Sequence, residues 1–169
     1  MPTVTVETGA GLANANSYCT VAEADTYHTT HLYPRVWDES TADQKARAVI
    51  WATRLLDEQC RWRGERVSTT QALRWPRTGV PTDDDDDWES STAIPAWLKN
   101  ATAELARGLL EKNRPAIAED ASETSRAVAG KSVSQGRRDN RWRAILPVAV
   151  MSMVNTACRA GDADLVRTS

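Results

Sequence analysis

The chain has 169 residues, of which 41% are apolar and 26% are charged, as is typical of one soluble globular domain. No stretch approaches the roughly 18 apolar residues of a transmembrane helix. The N-terminus has neither the positively charged side chains nor the apolar run of a signal peptide. We therefore expect no membrane contact and folding in the cytoplasm where the protein is made. The net charge of −2 gives no overall attraction to nucleic acid.

The first predicted elements precede residue 40. Polar and apolar residues alternate over residues 3–7, which predicts a short edge strand or an extended arm. We expect a loop over residues 9–16. Thr20 and Glu23 have the spacing of a capping box. They predict a helix that runs to about His31.

The second predicted helix begins after Ser40 or Thr41 and runs to about Cys60. Its apolar residues form two adjoining stripes, and so wide an apolar arc indicates neighbours on two sides. One stripe contains Ala46, Val49, Ile50, Thr53, Leu56 and Cys60, and the other contains Ala48, Trp51, Ala52 and Leu55.

The remaining elements are separated by long irregular stretches. Residues 62–93 predict an irregular loop, and a loop of this length is often functional. Pro95 then opens a helix that runs to about residue 113. The expected elements after it are a linker over 114–125, a strand over 126–135, a turn over 136–140 and a last helix from Pro147 to before Gly161.

These elements predict a mainly α fold. We expect a small bundle of about four helices, with a long irregular loop and a short β segment near the C-terminal third. The predicted organisation is an extended N-terminal arm (1–14), a helical core (15–113) and a C-terminal segment (114–169).

The three cysteines, Cys19, Cys60 and Cys158, are far apart and form no CxxC pair. This pattern argues against a disulfide framework and against a zinc site. It favours buried free thiols.

No motif predicts catalysis, a metal site or a cofactor. Gly130-Lys131-Ser132 resembles the end of a phosphate-binding loop, but Ser125 stands where its first glycine is needed. His28 and His31 could share a helix face, yet two imidazoles are too few for a metal site. We expect a non-enzymatic protein without a cofactor.

Charge and tryptophan are distributed unevenly. Seven Trp and no Phe occur, and several Trp lie beside arginines in the basic segments 61–79 and 126–143. The candidate interface residues are Trp62, Arg63, Arg74, Trp75, Arg77, Arg138, Arg141 and Trp142. The acidic run Asp83, Asp84, Asp85, Asp86 and Asp87 is a candidate acidic interface loop.

Two functions fit the paired Trp and Arg residues. Bases of single-stranded nucleic acid can stack on Trp while Arg binds phosphates. The same pairs can anchor a protein interface. The overall negative charge favours protein partners. A third possibility is structural, with Trp75 in the protein's own core and Arg77 paired with a local carboxylate.

Several segments together resemble a family of tailed-bacteriophage proteins. They include Ala15-Asn16-Ser17-Tyr18, Trp62-x-Gly64 and Ile94-Pro95, and the most specific is Gln71-Ala72-Leu73-Arg74-Trp75-Pro76-Arg77-x-Gly79-Val80. The resemblance covers roughly residues 15–115. Members are described as head–tail adaptor, connector or head completion proteins, and some as DnaT-like single-stranded-DNA-binding proteins.

The adaptor resemblance implies a helical bundle that forms a dodecameric ring in the virion neck. Its implied partners are the portal protein, a tail or neck protein and other copies of itself. Nucleic acid would be met only as DNA passing through the channel. The single-stranded-DNA-binding resemblance implies instead a module that uses the Trp and Arg loops.

Overall fold

A computed structural model describes residues 2–82, 87–112 and 145–159. Within these ranges the fold is mainly helical, as the sequence predicts. The helices are α1 (Val21–His28), α2 (Arg35–Asp38), α3 (Ala42–Gln59), α4 (Ala96–Glu111) and α5 (Val148–Val154). None of the described helices is long and apolar enough to cross a membrane.

The two long helices begin and end close to their predicted positions. Thr41 and Gln44 form a capping box at the start of α3, and Thr20 and Glu23 form another at the start of α1. Pro95 is the N-cap of α4, where proline lacks only an N–H that a helix start leaves unpaired. Helix α1 ends at His28, three residues earlier than expected, and the short α2 was not predicted.

Helix α4 is at the centre of the bundle, with α3, α5, α1 and α2 packed against it. Its buried positions, which include Leu98, Ala101 and Leu105, meet the buried stripes of α3. The prediction that the stripe containing Trp51 is buried is wrong at one position. Ala48, Ala52 and Leu55 are buried, but Trp51 is 44% exposed because it lies at the edge of the stripe.

Four short strands lie where the sequence predicts only irregular chain or the last helix. Strand β1 (Arg61–Trp62) pairs antiparallel with β4 (Cys158–Arg159), and β2 (Glu65–Arg66) pairs antiparallel with β3 (Arg77–Thr78). The β4 strand follows α5, which is shorter than the predicted last helix. The strand predicted over residues 126–135 lies outside the described residues.

The expectation that all three cysteines are free thiols is wrong for two of them. Cys60 and Cys158 form a disulfide, and only Cys19 is free and buried. The pairing of β1 with β4 brings the two Cα atoms to 5.3 Å, within the range of disulfides. Sequence spacing could not predict this pair because 98 positions separate the two cysteines.

The described part of the N-terminal segment packs onto the protein. Val6 forms a parallel bridge with Ser17, and the carbonyl of Thr5 accepts a hydrogen bond from the Asn16 amide. The buried carboxylate of Glu7 accepts hydrogen bonds from the backbone N–H groups of Gly9, Gly11 and Leu12. These contacts fix the loop that leads into α1.

Candidate functional site

The segment Gln71–Val80, which carries the strongest sequence motif, is held in place by its own side chains. Buried Gln71 donates from Nε2 to the carbonyls of Leu73 and Pro76, and its Oε1 accepts from the Ser68 amide. This segment is therefore a loop that is held by side-chain hydrogen bonds to the backbone, a signal that sequence periodicity does not contain.

Two of the tryptophans predicted for an interface lie in the core. Trp75 is fully buried and Trp62 is 9% exposed. Trp75 packs edge to face against both Trp62 and Trp97, with ring centroids 6.0 Å and 5.3 Å apart. The Trp62 indole N–H donates to Asp57, and that of Trp97 donates to Glu89. The Trp62 and Trp75 rings pack inside the protein and support the loop. Little of their surface is exposed for stacking with a base or for contact with a partner protein.

Arg77 fastens the same loop to the chain around β1 and β2. Its guanidinium donates to the carbonyls of Arg63, Arg74, Trp62 and Gly64. Burial lowers the pKa of Arg77, but an arginine with so high an ordinary pKa stays charged. The structural interpretation is therefore correct for Trp75, which lies in the core. For Arg77 it is wrong about the partner, because the described guanidinium contacts are with backbone carbonyls and not with a carboxylate.

Gly64 is required for this arrangement. Its φ of +66° lies in the left-handed region that favours glycine. A Cβ atom at this position would also collide with the carbonyl of Thr78. The turn between β1 and β2 therefore brings the Gly64 carbonyl to Arg77.

Asp57, at the C-terminal end of α3, connects α3 to the motif segment. Its carboxylate accepts hydrogen bonds from the Tyr18 hydroxyl, the Trp62 indole and the Arg74 amide, at 2.5, 3.2 and 3.0 Å. Burial raises its pKa from 3.8 to about 6, although these hydrogen bonds act in the opposite direction. Asp57 is a key residue that the sequence analysis missed.

Two adjoining surface clefts meet at Asp57, Glu58 and Arg74. One, of about 600 Å³, is lined by Asn16, Ile50, Thr53, Arg54, Asp57, Glu58, Ala72, Leu73 and Arg74. The other, of about 370 Å³, is lined by Asp57, Glu58, Cys60, Arg61, Trp62, Arg74 and Arg77. We refer to the two together as the arginine cleft, because Arg54, Arg61, Arg74 and Arg77 line it.

The predicted interface arginines differ in their exposure. Arg74 is exposed, Arg63 is half-buried, and Arg77 is buried. Arg61 and Arg66, which the sequence analysis placed in the basic segment without selecting them, are also exposed. The exposed arginines can contact a ligand, whereas the donors of Arg77 are largely occupied by carbonyls.

Several of the predicted interface residues lie outside the part of the chain that the structure describes. Arg138, Arg141 and Trp142 lie outside the described residues, as do Asp83, Asp84, Asp85 and Asp86. Asp87, the last residue of the acidic run, is exposed and precedes the exposed Trp88. The whole Gly130-Lys131-Ser132 motif is also outside the described residues.

The two histidines occupy a structural position between α1 and α4. His28 is buried and its Nε2 lies 3.1 Å from the carbonyl of Ala103. His31 lies 3.4 Å from the carboxylate of Glu104, which also binds Arg107. In the described part of the chain, no group of three or more His, Cys, Asp or Glu side chains is placed to bind a metal ion.

One family model matches residues 2–135, which contain all of the residues that line the arginine cleft. Its description is "Putative DnaT-like ssDNA binding protein". The chain belongs to this family. The matched range includes the motif segment, Asp57 and the exposed arginines of this chain. No curated protein and no solved structure matches the sequence.

Proposed function

We propose that this chain is a non-enzymatic protein that binds single-stranded nucleic acid in the arginine cleft. The observation that carries the proposal is the presence of Arg54, Arg61 and Arg74 along one continuous cleft. The description of the family supports the same function. Phosphates attract arginine strongly, and groove-lining cations that follow a phosphate backbone are typical of proteins that bind single strands.

The charge balance of the cleft favours an anionic ligand. Four arginines line it, against the two carboxylates Asp57 and Glu58. Glu58 is already paired with Arg54, at 2.6 Å. The overall charge of −2 therefore does not describe the local surface that a nucleic acid would meet.

Arg74 is well placed to contact a phosphate. Its amide N–H donates to Asp57, and its carbonyl accepts from Arg77. Because both backbone groups of Arg74 are already hydrogen-bonded, less conformational entropy is lost when it binds a phosphate than if its backbone were mobile. The buried Trp62 and Trp75 would then act as the support of this backbone, and base stacking on them is not part of the proposal.

The proposal is tested by titrating a fluorescently labelled oligothymidylate with the protein at several salt concentrations. We expect the Arg61→Gln/Arg74→Gln variant to bind more weakly and to lower the slope of log affinity against log salt by about 0.7 for each phosphate that is no longer neutralised. Arg35→Gln is the matched control, because Arg35 is an exposed arginine on α2 outside the cleft. Equal binding by all three proteins would contradict the proposal.

A second candidate function is the structural adaptor of a phage neck, located in the virion and joining portal and tail proteins. A specific observation favours a protein-binding surface. Leu32 and Tyr33, adjacent in the loop between α1 and α2, are 79% and 71% exposed. Neighbouring exposed apolar side chains of this size are characteristic of surfaces that other proteins cover.

Electron microscopy tests the adaptor function. The protein would be mixed with portal rings from the phage whose genome carries the gene. Added density on one end of the portal, absent with Leu32→Ser/Tyr33→Ser and retained with Arg35→Gln, would support the adaptor. Bare portals at high protein concentration would count against it.

A further inference from the structure

We infer that Trp51 is a stacking platform for a nucleobase beside the arginine cleft, an inference that rests on the proposed binding of single-stranded nucleic acid. Trp51 lies in the middle of α3 and is 44% exposed. The other large apolar residues of α3 are buried or half-buried, including Leu55 and Leu56. Packing within the described fold therefore does not account for a tryptophan at this position.

The arginines around Trp51 give it the surroundings of a nucleic-acid contact. The guanidinium of Arg54 lies over one face of the Trp51 ring, 5.0 Å from the ring centroid. Arg54 also lines the arginine cleft, and so does Ile50, the residue next to Trp51. A strand bound in the cleft would thus pass close to the indole.

Arg54 is held in this position from a second side. Its Nε donates to Glu58 at 2.6 Å, one helical turn further along α3. Arg47, one turn before Trp51, is likewise fixed by Asp43, at 2.7 Å. Two ordered, exposed guanidinium groups therefore flank the indole along the helix, and both can contact phosphates of a strand whose base stacks on it.

The ion pairs on this helix face favour a nucleotide over an apolar partner. An apolar protein segment over Trp51 would have to cover the Arg47–Asp43 and Arg54–Glu58 pairs, and removing water from these ion pairs is costly. A nucleotide presents a flat ring and an anionic phosphate together, which match the indole and the guanidinium groups. A single strand fits better than a duplex, because its bases are free to leave their own stack.

Binding of labelled oligothymidylate by Trp51→Leu, Trp51→Phe and Trp88→Leu tests the inference. Trp88 is the matched control, because it is an exposed tryptophan that lines neither part of the cleft. We expect Trp51→Leu to reduce the affinity about fivefold or more, the lower limit for one stacked base. Trp51→Phe should retain most of the affinity, Trp88→Leu should retain all of it, and the salt slope should not change.

An abasic oligonucleotide of the same length isolates the stacking interaction, since it has the phosphates but no bases. Wild type and Trp51→Leu should bind it equally. An equal reduction in affinity for both ligands would overturn the inference, because Trp51 would then act through the fold or the charges.

Two further results separate this inference from the proposed function. If the wild type binds oligothymidylate and Trp51→Leu binds it with equal affinity, stacking on Trp51 is refuted but binding in the arginine cleft is not. If the wild type does not bind oligothymidylate at all, both are refuted. Urea unfolding of each variant verifies that the compared proteins are folded.

Discussion

At the scale of single residues, the chain uses charged side chains to organise its own backbone. Arg77 binds four carbonyls, Glu7 binds three backbone N–H groups, and Asp57 joins α3 to the motif segment. Burying a charged group is costly, but a buried charge that is fully hydrogen-bonded specifies one conformation of the surrounding loop. Of the exposed arginines, Arg74 lies on the loop that Arg77 and Asp57 hold.

Replacing Arg77 should destabilise the protein. Arg77→Gln would leave several buried carbonyls without donors, and we expect a decrease of about 3 kcal/mol in the free energy of unfolding. Urea unfolding followed by tryptophan fluorescence measures this decrease. Arg66→Gln is the control, because Arg66 is exposed on the neighbouring strand, and it should change stability by less than about 0.5 kcal/mol. Similar decreases in the two variants would show that Arg77 does not hold the loop.

Asp57 should make stability depend on pH. Burial raises its pKa from 3.8 to about 6, so the folded protein binds its proton more tightly than the unfolded chain does. The contribution of Asp57 is therefore fully present below the unfolded pKa and is lost as the pH rises through about 6.

The urea midpoints of wild type and Asp57→Asn, measured below and above the pKa of Asp57, test this dependence. The variant should be less stable at both pH values, because its amide N–H₂ group would face the N–H of Arg74. The decrease in midpoint between the two pH values should be smaller in the variant than in the wild type. An identical decrease in both proteins would mean that another group is responsible.

At the scale of elements, local sequence signals set where the helices start. The capping box predicted from Thr20 and Glu23 forms, and Thr41, one of the two predicted starts of the next helix, is the N-cap of α3. The start of α4 at Pro95 is also confirmed. These signals are reliable because a cap satisfies backbone N–H groups within the same few residues and needs no tertiary partner.

The cap of α3 gives a measurable prediction. The Thr41 hydroxyl accepts from the Gln44 amide, and the Gln44 side chain accepts from the Thr41 amide. Thr41→Ala should cost about 1 kcal/mol of stability, whereas Thr41→Ser keeps the hydroxyl and should cost little. The midpoint of thermal unfolding distinguishes them, and equal midpoints would mean that the cap contributes nothing.

The strands are the elements that the sequence analysis missed. Each has only two residues, which is too short to show alternation. The partners of β1 and β4 are also distant in sequence, since they pair across most of the chain. Their pairing accompanies the packing of α5 against α4 and the Cys60–Cys158 disulfide, which local sequence does not reveal.

At the scale of the whole molecule, the C-terminal part of the described chain is tied to its middle. Helix α5 packs on α4, and β4 pairs with β1. The disulfide joins Cys158 of β4 to Cys60, the residue before β1. Cys60 also lines the arginine cleft. The cleft is therefore built on a part of the fold that the C-terminal segment stabilises.

The disulfide should make stability sensitive to reductant. Cys158→Ser should lower the free energy of unfolding by about 2–4 kcal/mol under oxidising conditions, because the bond closes a long loop in the unfolded chain. A reducing agent should remove most of the difference between the variant and the wild type. Cys19→Ser, which alters the free buried thiol, should leave the response to reductant intact. Wild-type protein that unfolds identically with and without reductant would contradict the bond.

The candidate site was predicted in part. The Trp and Arg residues of segment 61–79 do meet in one place, but the pattern could not separate the supporting side chains from the exposed ones. Trp75 and Arg77 look like interface anchors in the sequence and support the loop in the structure. Trp51 looks like a core residue in the sequence but is exposed in the structure. A position at the edge of an apolar stripe can face either the core or the solvent.

The sequence by itself determined the mainly helical class, the starts of the long helices and the segment that carries the motif. These features depend on caps, proline positions and helical periodicity, which act over a few residues. Only the tertiary structure decided that Trp75 is buried, that Trp51 is exposed, that Cys60 meets Cys158 and that Asp57 joins two distant segments. The physical reason is that burial and pairing depend on which distant segments pack together, and neighbouring residues contain little information about that choice.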